Sequence, residues 1–239
     1  MKRLHLLALC MACLSAFAAF GQKRAGAAVP VGEYTFNLPC KVVSIHPEQP
    51  GRAVLFLWLH GGVHDQPKHT FFAFNHFDCC AADDSILAYL DRHQMKAIAL
   101  MPICHKATSQ ECVNWRECYS DVKHMIDDFV NKGLVDPERI YVAGSSDGGR
   151  GAWDYAQHDD VFAAAISMSC SSPVMTKIPV YFYNTSDERD CTVEVQRLKR
   201  DGSNIVEYKY GPDYKHGDDA AECTDAMLKR FFRHRRLLP

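Results

Sequence analysis

"YVAGSSDGGR", residues 141–150, changes character in its middle. An apolar run through Tyr141, Val142 and Ala143 has the look of a buried strand, and the small residues that follow break it abruptly. Beyond them "DGGRGAWDYAQH" reads as a helix opening near Asp147. Matched to the pattern G-x-S-x-G, the stretch fixes Gly144, Ser146 and Gly148, and leaves Ser145 in a variable position. A chain that passes from strand to helix around one serine turns so sharply that a side chain at either glycine would strike a neighbouring element. Such a turn holds the Ser146 hydroxyl clear of the backbone. It also sets that hydroxyl at a helix N-terminus, where negative charge is favoured. A glycine-rich turn with incidental serines would not need the strand before it and the helix after it.

Working outward, "AVLFLWLH" (Ala53–His60) is apolar at every position up to its last, as a central strand covered on both faces must be. Met95–Pro102, Arg139–Ser145, Phe162–Cys170 and Ile178–Ser186 have the same look. Between them, Val122, Met125, Ile126, Phe129 and Val130 fall at helical spacing, and Gly133 ends that stripe. "DSILAYLDRHQ", the segment after Ser146 and the final "AAECTDAMLKRFFRHRR" are further expected helices. Strands alternating with helices predict an α/β architecture, a mostly parallel sheet with helices on both faces, in which chemistry collects at the carboxyl ends of the strands.

A chain of 239 residues with 47% hydrophobic content and no internal repeat reads as one domain behind a leader. Lys2 and Arg3, the apolar run Leu4–Phe20 and the small residues to Gly21 predict a signal peptide over 1–21. A lead-in follows over 22–32, with the catalytic domain at 33–239. The expectation is a secreted or periplasmic protein without stable membrane insertion. A net charge of −2 without a concentrated basic face argues against nucleic acid as a partner. Of 11 cysteines, nine remain after the leader, and export permits disulfides. Their spacings make no zinc site.

A serine nucleophile needs a base, and the base an orienting acid, in the chain order serine, acid, histidine. Three histidines follow Ser146. His158 closes the helix that leads away from the turn, and His234 lies in the basic tail, whereas His216 sits in a loop after the strand-like "NIVEYKY". The acid belongs in the loop "YFYNTSDERDC", which offers Asp187, Glu188 and Asp190. Asp187 comes first off the strand and is the expected acid, with Asp190 in reserve. "LHGGVHD" supplies bare backbone after the strand that ends at Leu59, so the N–H of Gly62 and the N–H of Asp147 are the expected oxyanion donors. His60 is expected to brace that loop. Trp115, in "CVNWREC", is the expected substrate contact. Phe71, Phe72, Phe74 and Phe77 form a second aromatic run, more simply read as core. Cys191 follows the acid loop and Cys223 the base loop, and convergence of those loops predicts a disulfide between them.

"LHGG" at 59–62, "VDPERIYVAGSSDGG" at 135–149, "NTSD" at 184–187 and "KHG" at 215–217 make the chain resemble the secreted α/β-hydrolases that include feruloyl and acetyl xylan esterases and polyhydroxybutyrate depolymerases. The resemblance covers about residues 33 to 235. It implies an α/β-hydrolase fold without a large cap domain and a serine esterase that needs no cofactor and no metal. Its catalytic residues would be Ser146, Asp187 and His216. The implied substrate is an ester, feruloyl or acetyl, on plant polysaccharide or a related polymer. At the acid the chain departs from the family's H-G-x-x-D-x-x-V, with Asn184 in place of the glycine and Asp190 in place of the valine. Three rival readings use other features: a metal-binding protein built on His60, His64, Asp65 and His69, a non-catalytic binding module, and a peptidase of prolyl-oligopeptidase type.

Overall fold

The computed structural model describes residues 38, 40–62, 81–104, 114–158, 160–170 and 172–236, with the side chains of 81–85 and 219–220 excepted. The expected leader and lead-in lie outside the described residues, as do His64, Asp65, His69, Phe71, Phe72, Phe74 and Phe77.

Among the described residues seven strands form one sheet in the order β1-β3-β2-β4-β5-β6-β7. They are β1 (Cys40–Ile45), β2 (Ala53–Leu59), β3 (Ala97–Pro102), β4 (Val135–Ser145), β5 (Ala164–Met168), β6 (Val180–Thr185) and β7 (Ile205–Gly211). Among these described strands only β1 runs antiparallel, against β3, and the other pairings are parallel. The helices are α1 (Ala81–Arg92), α2 (Trp115–Asn131), α3 (Asp147–Tyr155), α4 (Thr192–Arg200) and α5 (Asp225–Phe231). This is the α/β-hydrolase fold expected from the sequence.

Alternation along the strands explains the uniform apolarity of β2. Leu55, Leu57 and Leu59 face a core shared with α2, α3 and α4, while Val54, Phe56 and Trp58 face a second core shared with α1 and α5. Each of those six side chains is no more than 1% exposed, worth about 1.5–3 kcal/mol apiece for the larger aliphatic and aromatic ones. The two cores also overturn the expected disulfide. Cys191 packs into the first core and Cys223 into the second, so the sheet separates them. The Cys191 thiol points to the Arg189 carbonyl at 3.4 Å, and the Cys223 thiol meets the Met168 sulfur at 3.9 Å.

Three elements differ from the sequence reading. β1 and α4 were not foreseen; α4 carries the strongly charged "TVEVQRLKR" and buries only Val195 and Leu198, too thin a stripe to stand out. The expected long C-terminal helix is broken into a 3-10 turn at Asp218–Glu222 and α5. Thr224 makes the break, because its hydroxyl accepts the Met227 N–H at 3.3 Å and so starts a new helix. Among the described residues no helix is long and apolar enough to cross a membrane.

Candidate active site

β4 delivers the chain to Ser146 and α3 takes it away. Ser146 itself has φ 59° and ψ −121°, a backbone state that side-chain-bearing residues avoid at a cost on the order of 1–3 kcal/mol. Its surroundings hold it there. The Ser146 N–H donates to the Met168 carbonyl at 3.0 Å, and its own carbonyl accepts the Arg150 N–H at 3.0 Å. The glycines are required by contact: a Cβ on Gly148 would lie 1.8 Å from the Leu59 oxygen, and one on Gly144 would lie 2.3 Å from the Gly148 oxygen. Strand β2, the turn and helix α3 therefore press together with no room for a methyl group. Asp147 begins α3 and is 7% exposed, its carboxylate 3.2 Å from Arg150 Nη1.

The loop leaving β2 lies directly against the serine. A Cβ on Gly61 would meet Ser146 Cβ at 3.1 Å and Ser146 Oγ at 3.7 Å, so the Gly61 backbone lies against the serine side chain. His60 anchors the loop, as expected. It is 1% exposed; its Nε2 accepts the Cys104 N–H at 3.1 Å, which puts the ring proton on Nδ1, 2.7 Å from the Gly61 carbonyl. With both ring nitrogens used, His60 is not disposed to ligate a metal. Among the described residues no cluster of three His, Cys, Asp or Glu could hold a metal ion.

Trp115 requires a correction. It is 2% exposed at the start of α2, and its indole N–H donates to the His60 carbonyl at 2.9 Å. Its ring also meets His60 edge-on at 5.0 Å and abuts Gly151 of α3. The side chain is a strut beneath the loop, with no face open to a substrate.

His216 arrives on the loop after β7, and two hydrogen bonds connect that loop to the turn. Gly217 N–H donates to Ser169 Oγ at 3.0 Å, and Ser169 is adjacent to Met168, whose carbonyl holds Ser146. The acid loop joins from β6: the Ser186 N–H and hydroxyl both donate to the Tyr214 carbonyl, at 3.0 and 2.7 Å. Loops from β2, β4, β5, β6 and β7 thus meet at one rim of the sheet.

The carboxylate on the imidazole is Glu188, not Asp187. His216 Nδ1 lies 2.5 Å from Glu188 Oε1. The Glu188 side chain is 8% exposed, and its Oε2 accepts the Thr185 N–H at 3.1 Å and the Thr185 hydroxyl at 2.5 Å. Asp187 is exposed and accepts the backbone N–H of His216 at 2.7 Å, so it shapes the base loop without touching the ring. Asp190 is turned to α4, where it accepts the Thr192 N–H and hydroxyl and the Tyr208 hydroxyl. The Thr192 bonds hold its carboxyl below the usual carboxylate range. The cause of this division is the tight turn Thr185–Glu188, closed by the Glu188 N–H on the Thr185 carbonyl at 3.1 Å. Asn184, 1% exposed, folds the loop further: its Oδ1 accepts the Cys170 N–H and its amide donates to the Arg189 carbonyl. That use of Asn184 is the signal in the sequence that the acid loop departs from the expected pattern. The other histidines lie elsewhere, His158 stacked on Tyr119 at 3.8 Å and His234 against the Tyr181 hydroxyl at 3.1 Å.

Residues 114–229, which include Ser146, Glu188 and His216, match the prolyl oligopeptidase family. No curated protein sequence matches the chain. Among solved structures the chain is similar to a thermostable esterase, with TM-score 0.64 and 17% identity over 83% of this chain and 60% of that one. It is also similar to the S954A mutant of the feruloyl esterase module from Clostridium thermocellum complexed with sinapinate, with TM-score 0.59 and 12% identity over 86% and 88%. A third likeness is to the Pyrococcus horikoshii acylaminoacyl peptidase, with TM-score 0.56 and 13% identity over 86% and 41%. The chain therefore spans less than two thirds of the thermostable esterase and of the peptidase. At such identities the likeness is one of fold.

Proposed function

We propose that the chain is a serine hydrolase that cleaves carboxylic esters through an acyl-enzyme on Ser146, with His216 as base and Glu188 as the acid that orients it. The observation that carries this reading is the buried Glu188 carboxylate on His216 Nδ1, in a loop hydrogen-bonded to the neighbours of a strained serine. Glu188 keeps the ring proton on Nδ1, which leaves Nε2 free of a proton and able to take the one on Ser146. As that proton moves, Oγ adds to the ester carbonyl carbon. The oxygen that becomes negative is received by the Gly62 and Asp147 amides and by the N-terminus of α3, each lost donor costing about 3 kcal/mol of barrier. Collapse breaks the bond to the alcohol, which leaves with the proton from Nε2; water then repeats the sequence on the acyl-enzyme.

The substrate we favour is a feruloyl or acetyl ester on plant polysaccharide or a related polymer, met by a secreted or periplasmic enzyme. Its support is the sequence resemblance and the likeness to a feruloyl esterase module complexed with sinapinate. A peptidase reading has its own support in the match of residues 114–229 to the prolyl oligopeptidase family. The two differ in leaving group, since an amine must be protonated by His216 before it can depart.

The test is a substrate panel of p-nitrophenyl acetate, p-nitrophenyl butyrate, methyl ferulate and an N-acetyl-alanine p-nitroanilide, run on wild type and Ser146→Ala. The expected result is turnover of the esters and its loss by more than about 10³-fold in the variant. Ester turnover that survives Ser146→Ala overturns the mechanism. Preference for the anilide replaces the esterase reading with the peptidase one.

A further inference from the structure

Beneath the His60 loop two cysteine sulfurs face each other. Cys104, just beyond β3, and Cys118, in the first turn of α2, have their Sγ atoms 3.2 Å apart, and the residues are 4% and 0% exposed. Closing that gap to the roughly 2.05 Å of a disulfide takes a shift of about 1 Å, which side-chain rotation supplies without moving a strand or helix. The other described cysteine contacts lead elsewhere, Cys191 to a carbonyl and Cys223 to a methionine.

Both partners belong to the clamp on His60. Cys104 donates its N–H to His60 Nε2, and α2 holds the His60 carbonyl through Trp115, three residues before Cys118. A covalent bond between them would tie together the two arms of the clamp on His60, the residue before Gly61.

We propose that Cys104 and Cys118 form an intramolecular disulfide when the chain folds in the presence of a disulfide oxidant, and that this bond clamps the loop against Ser146. One thiolate attacks the oxidant, giving a mixed disulfide and releasing one small thiol. The second thiolate attacks the mixed disulfide at the protein sulfur and releases the other small thiol. Two protons leave the cysteines, and their two electrons reduce the oxidant's sulfur–sulfur bond. Because both sulfurs are closed off in the folded chain, exchange precedes the docking of α2, and the finished bond resists reductant until the chain unfolds.

Trypsin places the relevant cysteines on separate peptides, Cys104 in Ala97–Lys106, Cys112 in Ala107–Arg116 and Cys118 in Glu117–Lys123. The full chain is refolded with oxidised glutathione or with dithiothreitol, alkylated after unfolding, and mapped without reduction. The expected product of the oxidised sample is Ala97–Lys106 joined to Glu117–Lys123, less two hydrogens, both in wild type and in Cys112→Ser. The oxidised protein should melt about 10 °C above the reduced one, as a short closed loop in a chain of this size implies. That difference should vanish in Cys104→Ser/Cys118→Ser. A crosslink to Ala107–Arg116 in wild type, or complete alkylation of both thiols, overturns the proposal. A crosslink with no difference in melting overturns the clamp. Mapping is independent of the hydrolase reading, so loss of that reading would leave the bond standing; wild-type mapping decides it even where the double variant does not fold.

Discussion

Replacing Glu188 by glutamine removes one charge and almost no volume, and it separates the two acids of the same loop. In the native arrangement Oε1 faces His216 Nδ1 and Oε2 receives two donors from Thr185. A glutamine amide fits neither way round. With its NH2 toward Thr185, a donor meets a backbone donor. With its NH2 toward His216, it donates to Nδ1 and sends the ring proton to Nε2, the tautomer that cannot accept from Ser146. Loss of a buried triad carboxylate by the same chemical change costs about 10⁴ in turnover in serine proteases. His216 is 48% exposed, so solvent screens part of the effect, and the expected fall in kcat/KM is on the order of 10²–10⁴, or roughly 3–5 kcal/mol of barrier. Asp187→Asn, by contrast, keeps an oxygen to accept the His216 N–H and should cost less than about tenfold. The assay is kcat/KM on p-nitrophenyl acetate, with urea unfolding to establish that both variants remain folded. If Asp187→Asn falls as far as Glu188→Gln, or further, the assignment of the acid to Glu188 is wrong.

Gly148→Ala should prevent stable folding, since its Cβ meets backbone at 1.8 Å, whereas Gly61→Ala, with 3.1 Å to Ser146 Cβ, should fold within about 1 kcal/mol of wild type and lose mainly kcat. Urea midpoints beside turnover distinguish the two, and equal midpoints for both would refute the packing argument. Trp115→Phe removes the indole donor to the buried His60 carbonyl and should cost about 1–3 kcal/mol in unfolding free energy with KM little changed; a raised KM at unchanged stability would return Trp115 to the substrate. His46 bonds Glu48 at 3.0 Å and the Asp91 carbonyl at 3.0 Å, which raise its pKa above the usual 6.5. A raised folded pKa stabilises fully below 6.5 and is lost as pH rises through the folded value, so the melting deficit of His46→Gln should be larger at pH 6 than at pH 8. A deficit independent of pH would show that the charged form of His46 is not what is held.

The sharp turn at Ser146 was legible because everything that makes it is local. The strand, the two glycines and the helix that follows occupy adjacent positions in "YVAGSSDGGR", and each has one conformational use. The position of His216 was legible for a related reason, since of the three histidines that follow Ser146 the order of strands and loops puts one in the loop after β7. The apolar strands declared the parallel sheet, because strands covered on both faces must be apolar on both. The thin buried stripe of α4 and the edge strand β1 carried no comparable pattern.

What the sequence could not decide were contacts between side chains that neighbour each other in the chain yet diverge in space. Asp187, Glu188 and Asp190 are chemically near-equivalent in order, and the turn closed at Thr185 sends one to the ring of His216, one to its backbone and one to α4. Trp115 stands among charged residues in the sequence, and only the docking of α2 on the His60 loop buries it. Cys191 and Cys223 flank loops that converge, but Cys191 leads into α4 on one face of the sheet and Cys223 into α5 on the other, while Cys104 and Cys118 meet because a strand end and a helix start pack together. Local backbone geometry is written in residue type and spacing; the partner of a side chain is fixed by elements distant in the chain, and the sheet and helices had to assemble before those choices existed.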